Sequence, residues 1–251
     1  MHNELFSIGP ITIYGYGLMI AIGILAAYLS TEFLAKKNDL DPNPVFNILI
    51  VGVLFGILGA KLLYYITILD DIIANPKLLL DFSDGFVVYG GIIAGIVAAA
   101  IYSRKKGLPF LRYLDCAAPS IALAQGFGRI GCFLAGCCYG VEMDSPISIT
   151  FTHSHYAPNN VPLFPSQLIS SAFDFLNFVV LCILLKQNKK PGKIGACYLI
   201  FYSIERFIIE FFRGDLGRGS VGTLSTSQFI SLFVFAAGIA MVIVLDHKKE
   251  N

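Results

Sequence analysis

Long runs of apolar residues recur along the whole chain and alternate with short segments that carry most of the charged positions. An α-helix needs about 20 apolar residues to cross the hydrocarbon core of a membrane. Seven runs suit such helices, at about 12–35, 45–68, 86–103, 114–136, 166–185, 194–213 and 226–245. The pattern predicts an all-α, polytopic membrane protein with about seven transmembrane helices.

Two of these runs differ from plain membrane anchors. The third is short and rich in glycine, and the fourth contains Pro119, several glycines and Arg129. Interrupted helices of this kind often line binding cavities in membrane proteins. The composition, with 56% hydrophobic and 14% charged residues, lies outside the range of soluble domains. We therefore expect one membrane-embedded domain over residues 1–251, without a soluble module.

The basic residues indicate how the chain crosses the membrane, since cytoplasmic loops carry an excess of lysine and arginine. They follow the first, third, fifth and seventh runs: Lys36, Lys37, Arg104, Lys105, Lys106, Arg112, Lys186, Lys189, Lys190, Lys193, Lys248 and Lys249. The alternate loops hold Lys77 and Arg218 with seven acids: Asp70, Asp71, Asp81, Asp84, Glu142, Asp144 and Asp215. This asymmetry predicts an outside N-terminus and a cytoplasmic C-terminus.

Three arginines lie within or at the end of the apolar runs: Arg129, Arg206 and Arg213. A permanent cation there costs at least about 2.5–3.5 kcal/mol on insertion scales. Glu210 is four residues after Arg206 and three before Arg213, so these side chains can share one helix face. They can form an ion-pair ladder that lowers the insertion cost. Alternatively, Glu210 holds both guanidiniums towards an anion, and a lipid phosphate suits the paired donors of arginine.

Several segments carry a resemblance to one enzyme family. They are Tyr16-Gly17-Leu18-Met19, Gly59-Ala60-Lys61-Leu62, Tyr89-Gly90-Gly91-Ile92-Ile93-Ala94-Gly95, Pro165-Ser166-Gln167-Leu168 and Arg206-Phe207-Ile208-Ile209-Glu210-Phe211-Phe212-Arg213. The chain resembles the prolipoprotein diacylglyceryl transferases of bacterial inner membranes, which are seven-helix enzymes with their N-terminus outside. The resemblance extends over most of the chain.

The family signature G-R-x-G-N-F-x-N-x-E-x-x-G aligns with residues 128–140. Five positions match at the same spacing: Gly128, Arg129, Gly131, Phe133 and Gly140. Several polar positions of the family are changed: Cys132 and Ala135 replace two asparagines, Cys137 replaces the glutamate, and Tyr89 and Phe164 stand in place of histidines. The phosphate-side arginines are kept, whereas other polar groups of the family are not.

The resemblance implies transfer of the diacylglyceryl group of phosphatidylglycerol to the thiol of a lipobox cysteine in prolipoprotein signal peptides. A thioether forms and glycerol phosphate leaves. The implied catalytic residues are Arg129, Arg206, Tyr89 and Cys137. The implied substrate-binding residues are Tyr16, Gly90, Gly91, Gly128, Gly131, Cys132, Gln167, Glu210 and Arg213. We expect a multi-pass protein of the bacterial cytoplasmic membrane that contacts membrane lipid, with no cofactor, metal or nucleic acid.

The cluster of Cys132, Cys137 and Cys138 leaves three hypotheses open. In the first, transferase activity is kept and a Cys137 thiolate beside Arg129 replaces the lost carboxylate. In the second, the cluster performs redox or sulfur-handling chemistry in the membrane, with Cys132 and Cys137 as a possible disulfide pair. In the third, the cysteines join His153 and His155 in a site for zinc or copper(I).

Two acids of the apolar runs also need an explanation. Asp174 lies inside the fifth run, and a lone carboxylate there should face other helices, although the sequence indicates no partner for it. Asp115 opens the fourth run, where an acid at a helix N-terminus is favourable.

Overall fold

The computed structural model describes residues 4–8, 11–80, 85–188, 190–215 and 219–247. Six charged residues used to predict the orientation lie outside the described residues: Asp81, Asp84, Lys189, Arg218, Lys248 and Lys249. The other basic and acidic positions of that prediction are described.

Helices dominate the part of the chain that the structure describes. They are α1 (Gly15–Lys37), α2 (Asn43–Thr67), α3 (Leu69–Ala74), α4 (Val88–Lys105), α5 (Phe110–Ala135), α6 (Ser166–Gln187), α7 (Lys193–Ile209) and α8 (Thr226–His247). All except the short α3 coincide with a predicted apolar run. Four of them, α1, α2, α6 and α8, are long and apolar enough to cross a membrane. The protein is therefore a helical membrane protein.

The described residues also form three short antiparallel ribbons that the sequence analysis did not predict. They pair β1 (Glu4–Ile8) with β2 (Ile11–Tyr14), β3 (Ile149–Thr150) with β4 (Pro162–Leu163), and β5 (Ser220–Val221) with β6 (Leu224–Ser225). The first apolar run predicts a helix from about residue 12. Helix α1 starts at Gly15 instead, because the residues before it are paired in β2. The sixth run likewise leaves the α-helix at Ile209 and continues as a 3-10 turn over Glu210–Phe212.

The chain forms two compact units, one of residues 35–113 and one of residues 1–34 with 114–251. In the smaller unit, α2 and α4 pack closely through glycines. A Cβ added to Gly90 would collide with the carbonyl oxygen of Gly59, and one added to Gly91 would lie 3.0 Å from the carbonyl oxygen of Gly56. Small residues at such spacing let the backbones of two membrane helices approach each other.

The smaller unit also buries Lys61, whose ammonium lies 5.0 Å from the ring centroids of Tyr64 and Tyr65 and 5.1 Å from that of Phe86. Aromatic faces attract a cation more strongly where water is excluded. These rings stabilise a charge that the sequence places at membrane depth.

In the larger unit, α7 packs against α6 and α8. The N-terminus of α7 is fixed by Asp115 of α5, whose Oδ2 accepts from the Gly192 amide at 2.6 Å and whose Oδ1 accepts from the Gly195 amide at 2.9 Å. Free amides at a helix start favour an anion. Asp115 therefore caps the N-terminus of α7, whereas the sequence suggested a place at the N-terminus of the helix that contains it.

Many large apolar side chains are exposed on the helices, among them Phe33, Leu62 and Phe233 at 62% each. Apolar surface of this extent is unfavourable in water and marks a surface that contacts lipid or another protein. The four spanning helices carry it along most of their length, with at most 28% of each apolar window buried. The lipid bilayer is the solvent that this surface requires.

Candidate functional site

The thiol cluster forms where α5 ends. The helix stops at Ala135, and the chain then reverses through two left-handed residues, Gly136 with φ +78° and Cys138 with φ +56°. The Cys137 amide donates to the Cys132 carbonyl at 3.1 Å, which keeps the turn against the last helical turn. As a result, the sulfur atoms of Cys132, Cys137 and Cys138 lie within 4.8 Å of one another.

The first residues of α6 hold this turn in place. The side-chain amide of Gln167 donates from Nε2 to the Cys137 carbonyl at 2.8 Å, and the Ser166 hydroxyl donates to the Cys138 carbonyl at 2.9 Å. Gln167 is only 1% exposed. The substrate contact expected of Gln167 stays a prediction. In this structure its side-chain amide binds the backbone of Cys137.

The chain after the cluster brings Arg213 beside it. The Gly214 amide donates to the Tyr139 carbonyl at 2.9 Å, and the Val141 amide donates to the Phe212 carbonyl at 2.9 Å. Gly140 pairs with Arg213 in this short antiparallel contact. A Cβ on Gly140 would collide with the carbonyl oxygen of Phe164, so glycine is required there for the segments to meet.

The charge around Cys138 favours its thiolate. The pKa of this thiol is lowered, first by hydrogen bonds with the thiols of Cys132 and Cys137 and then by the positive charges of Arg213 and Arg129. A thiolate is the nucleophilic and metal-binding form of cysteine. The cluster therefore contains a thiol with the electrostatic surroundings of a reactive group.

The ion pairs of Glu210 with both arginines are present, as both alternatives for this ladder require. Glu210 Oε2 lies 2.9 Å from Arg206 Nη2 and 3.6 Å from Arg213 Nη1, and the Glu210 side chain is 1% exposed. Arg213 also pairs with Asp215, which the sequence analysis did not assign to it. Because two acids, Glu210 and Asp215, pair with Arg206 and Arg213, this group of four residues carries no net formal charge.

Arg206 keeps an unused donor. Its Nη2 donates to the Ser227 hydroxyl at 2.8 Å, whereas its buried Nη1 has no hydrogen-bond acceptor among the described residues. A buried donor without a partner costs about 1–3 kcal/mol. The ladder stabilises the arginines and also leaves one guanidinium donor for an external acceptor.

Arg129 differs from the other two arginines. It is half-buried near the C-terminal end of α5, and within the described ranges no carboxylate forms an ion pair with it. It interacts electrostatically with Cys132 and Cys138, and with two buried acids, Asp174 and Glu205. Its charge is balanced at longer range, so its donors are not committed to one carboxylate.

The structure supplies the missing partner of Asp174. Its side chain, 3% exposed, interacts electrostatically with Glu205 of α7, a second buried acid. Two like charges repel each other in a buried site, which favours a proton on one of these carboxylates. Sequence reasoning missed Glu205. Its one signal was an acid directly before Arg206 in an apolar run.

Tyr16 lies at the same end of the larger unit. It is 44% exposed, and it interacts electrostatically with Arg129 and the three thiols. A Cβ on Gly131 would lie 3.2 Å from the Tyr16 ring, so this glycine lets the ring approach α5. A Cβ on Gly128 would meet only Ile20, at 3.8 Å, so packing does not require a glycine there.

Three predicted site residues belong to the smaller unit. Tyr89 is half exposed at the start of α4, and Gly90 and Gly91 pack against α2. The structure gives both glycines a role in helix packing. Their contact with a substrate, and any catalytic role of Tyr89, stay predictions.

All six cysteines are free thiols in this structure: Cys116, Cys132, Cys137, Cys138, Cys182 and Cys197. The disulfide between Cys132 and Cys137 that the second hypothesis allowed is not present. His153 interacts with the neighbouring Thr152 hydroxyl at 3.1 Å, and neither predicted histidine belongs to the group of thiols. The predicted ligand set of cysteines and histidines is therefore wrong in its histidines.

Fold and site together define a helical membrane protein in which arginines, buried acids and thiols meet near the end of one helix. The sequence profile of the family described as prolipoprotein diacylglyceryl transferase matches residues 3–244, and the chain belongs to this family. It is 50% identical over 250 residues to the phosphatidylglycerol–prolipoprotein diacylglyceryl transferase of Clostridium tetani, covering 100% of both chains.

Further relatives agree with this assignment. The chain is 47% identical to phosphatidylglycerol–prolipoprotein diacylglyceryl transferase 2 of Clostridium perfringens, covering 100% of this chain and 99% of the relative. It is 34% identical to the corresponding enzyme of Finegoldia magna, covering 100% and 97%. These comparisons give no support to the redox or sulfur-handling alternative.

Proposed function

We propose that this chain transfers the diacylglyceryl group of phosphatidylglycerol to the lipobox cysteine of prolipoproteins. The acceptor sulfur forms a thioether with the glyceryl carbon, the carbon–oxygen bond to phosphate breaks, and glycerol phosphate leaves. Full-length relatives named for this reaction support the proposal. The reaction needs a site that receives an anionic leaving group within a membrane.

Arg129 and Arg206 are the groups that we assign to the phosphate. The observation that carries this assignment is the set of donors left available: Arg129 outside any described ion pair, and Nη1 of Arg206 without a described acceptor. Donors aimed at developing negative charge stabilise a transition state more than a ground state. Glu210 orients Arg206, and Arg213 lies on the thiol side of the ladder.

The remaining site residues keep the roles that the resemblance implies. We assign Tyr16 to lipid oxygens, and its exposed side chain and its electrostatic interaction with Arg129 support this role. The acceptor must react as a thiolate, which the cationic field of the arginines favours. We keep Cys137 and Tyr89 as proton-handling groups, and Gly128, Gly131 and Cys132 as residues that contact substrate.

We further propose a multi-pass protein of the bacterial cytoplasmic membrane with seven spanning helices in one membrane-embedded domain. Basic residues in the last turns of α1, α4 and α6 support it, since they lie at the ends assigned to the cytoplasm: Lys36, Lys37, Arg104, Lys105 and Lys186. The N-terminus then lies outside and the C-terminus inside.

Reconstituted protein tests the phosphate assignment. Vesicles containing phosphatidylglycerol, with a lipobox peptide as acceptor, should yield a thioether-linked diacylglyceryl peptide detectable by mass spectrometry. Arg129→Gln should lower the rate about 10²–10³-fold, the usual cost of removing one transition-state donor.

Arg104→Gln is the matched control, because Arg104 is an exposed arginine in the last turn of α4. It should keep the wild-type rate. No product from the wild-type protein would refute the proposed activity, and equal rates for the two variants would refute the role of Arg129.

A further inference from the structure

Three thiols occupy one small volume where the family signature has an asparagine and a glutamate. The sulfur atoms of Cys132, Cys137 and Cys138 lie within 4.8 Å of one another. A zinc ion bonds thiolates at about 2.3 Å, which puts two sulfur ligands of a tetrahedral site about 3.8 Å apart. The cluster is therefore close to the spacing of a three-cysteine metal site before any ion binds.

The sulfur atoms are also held in place by the surrounding backbone. Cys132 belongs to α5, whereas the carbonyls of Cys137 and Cys138 accept from Gln167 at 2.8 Å and from Ser166 at 2.9 Å. A site fixed from two elements needs little reorganisation to bind an ion. Loose thiols on a mobile loop would lack this property.

Charge selects the kind of ion. Three thiolates with a divalent ion carry a net charge of about −1, and three thiolates with copper(I) carry about −2, by simple addition for thiolate ligands. Arg129 acts on Cys132 and Cys138, and Arg213 acts on Cys138. Two nearby guanidiniums balance the copper(I) complex and leave the divalent complex with a charge of about +1, so a further thiolate in the fourth position brings the divalent complex into balance. The same positive charges disfavour a bare cation, so binding depends on the thiolates.

We propose that Cys132, Cys137 and Cys138 bind one zinc ion, and that the fourth position takes the lipobox cysteine of the acceptor as a thiolate. Three protein ligands with one open position are the arrangement of catalytic zinc sites. A thiol that coordinates zinc is deprotonated. This inference rests on the proposed transferase function and assigns a metal where the sequence analysis expected none. It replaces the proton-handling role of Cys137 with a ligand role, and Cys132 then contacts the acceptor through the ion.

The reaction balances with zinc in this role. The acceptor thiol loses its proton to water as it coordinates the ion. Its sulfur then attacks the glyceryl carbon that carries the phosphate ester, forming the carbon–sulfur bond. The carbon–oxygen bond breaks, its electron pair leaves with glycerol phosphate, and the thioether product, a weaker ligand, dissociates from zinc. Neither oxidant nor reductant is required.

Metal binding is tested first on purified, chelator-treated protein titrated with Zn²⁺ or with Co²⁺ as a spectroscopic probe. Wild-type protein should bind one equivalent, and Co²⁺ should show the absorption of a tetrahedral thiolate site. The variant with Cys132, Cys137 and Cys138 all changed to serine should lose both. A variant with Cys182→Ser and Cys197→Ser, two cysteines in α6 and α7, is the matched control and should keep both. Equal binding by the two variants overturns the proposal.

The fourth ligand is tested by adding a lipobox peptide to the Co²⁺-loaded protein. The cysteine peptide should change the cobalt spectrum, and the same peptide with serine at that position should not. Full thioether formation by zinc-free wild-type protein overturns the zinc role and leaves the transferase function intact. Zinc binding with a spectral response to the peptide, but no thioether with phosphatidylglycerol, refutes the transferase function and leaves the metal site standing.

Discussion

Glu210 serves two cations with one carboxylate, and this makes it the most sensitive residue of the arginine ladder. Its Oε2 lies 2.9 Å from Arg206 Nη2 and 3.6 Å from Arg213 Nη1. Arg213 has a second acid in Asp215, whereas Arg206 has Glu210 as its only described ion-pair partner. Loss of the Glu210 charge therefore affects Arg206 most.

We predict that Glu210→Gln destabilises the protein by about 3–5 kcal/mol, the cost of breaking a buried pair. The two guanidiniums would then repel each other without the carboxylate between them. Asp215→Asn is the control and should cost less, because Arg213 keeps Glu210. Thermal unfolding in detergent measures both. A larger loss for Asp215→Asn would mean that Asp215, and not Glu210, is the main counter-charge of the ladder.

The pair of Asp174 and Glu205 yields a second prediction. Asp174→Asn should unfold close to the wild-type temperature, because an amide, like a protonated carboxyl, can donate to the neighbouring Glu205 and adds no like charge beside it. Asp174→Leu should cost about 1–3 kcal/mol, because it leaves buried Glu205 without this partner.

Both variants are compared by thermal unfolding and by thioether formation. If asparagine were as damaging as leucine, the ionised carboxylate itself, facing Arg129, would be the essential form of Asp174.

These residues show what the sequence can and cannot predict about the site. The ladder of Arg206, Glu210 and Arg213 was predicted because its members are close in sequence, and the ion pairs form although the α-helix ends at Ile209. The contact of Asp174 with Glu205 joins two helices, and its existence depends on which faces of α6 and α7 meet. The spacing of apolar residues along the sequence does not show which faces of two helices pack together.

At the scale of elements, the long helices follow directly from the apolar runs. The exceptions are the ends, where backbone pairing competes with helix formation. Ile11–Tyr14 is as apolar as the helix that follows, but it pairs with Glu4–Ile8 in a ribbon. The left-handed turn at Gly136 and Cys138 was also missed, because a non-glycine residue in that conformation has no reliable sequence signal.

Packing of α2 against α4 gives a prediction at this scale. Gly90→Ala should destabilise the protein by about 1–3 kcal/mol, because the new methyl group meets the backbone of Gly59 and forces the helices apart. Gly17→Ala is the matched control in α1, since a Cβ there meets nothing within 4 Å.

The control should be neutral or stabilising by up to about 1 kcal/mol, because alanine favours a helix over glycine. Unfolding in detergent compares the two variants. Equal effects would mean that close packing at Gly90 is not important for stability.

At the scale of the whole molecule, the predicted orientation is testable by chemical labelling. In a cysteine-free background, Asp144→Cys should react with a membrane-impermeant maleimide added to intact cells, because its loop is assigned to the outside. Lys106→Cys, after α4, should react only once the membrane is permeabilised. Labelling of Lys106→Cys in intact cells would reverse the orientation.

The exposed apolar surface of α1 has a kinetic consequence. Tyr16 is exposed at the start of this helix, which continues into the bilayer through exposed residues such as Leu25 and Leu29. A lipid can thus approach Tyr16 sideways from the membrane without passing through water. The effective substrate concentration is then the mole fraction of phosphatidylglycerol in the leaflet. Diluting it with another lipid should slow turnover, whereas diluting the vesicles in buffer should not.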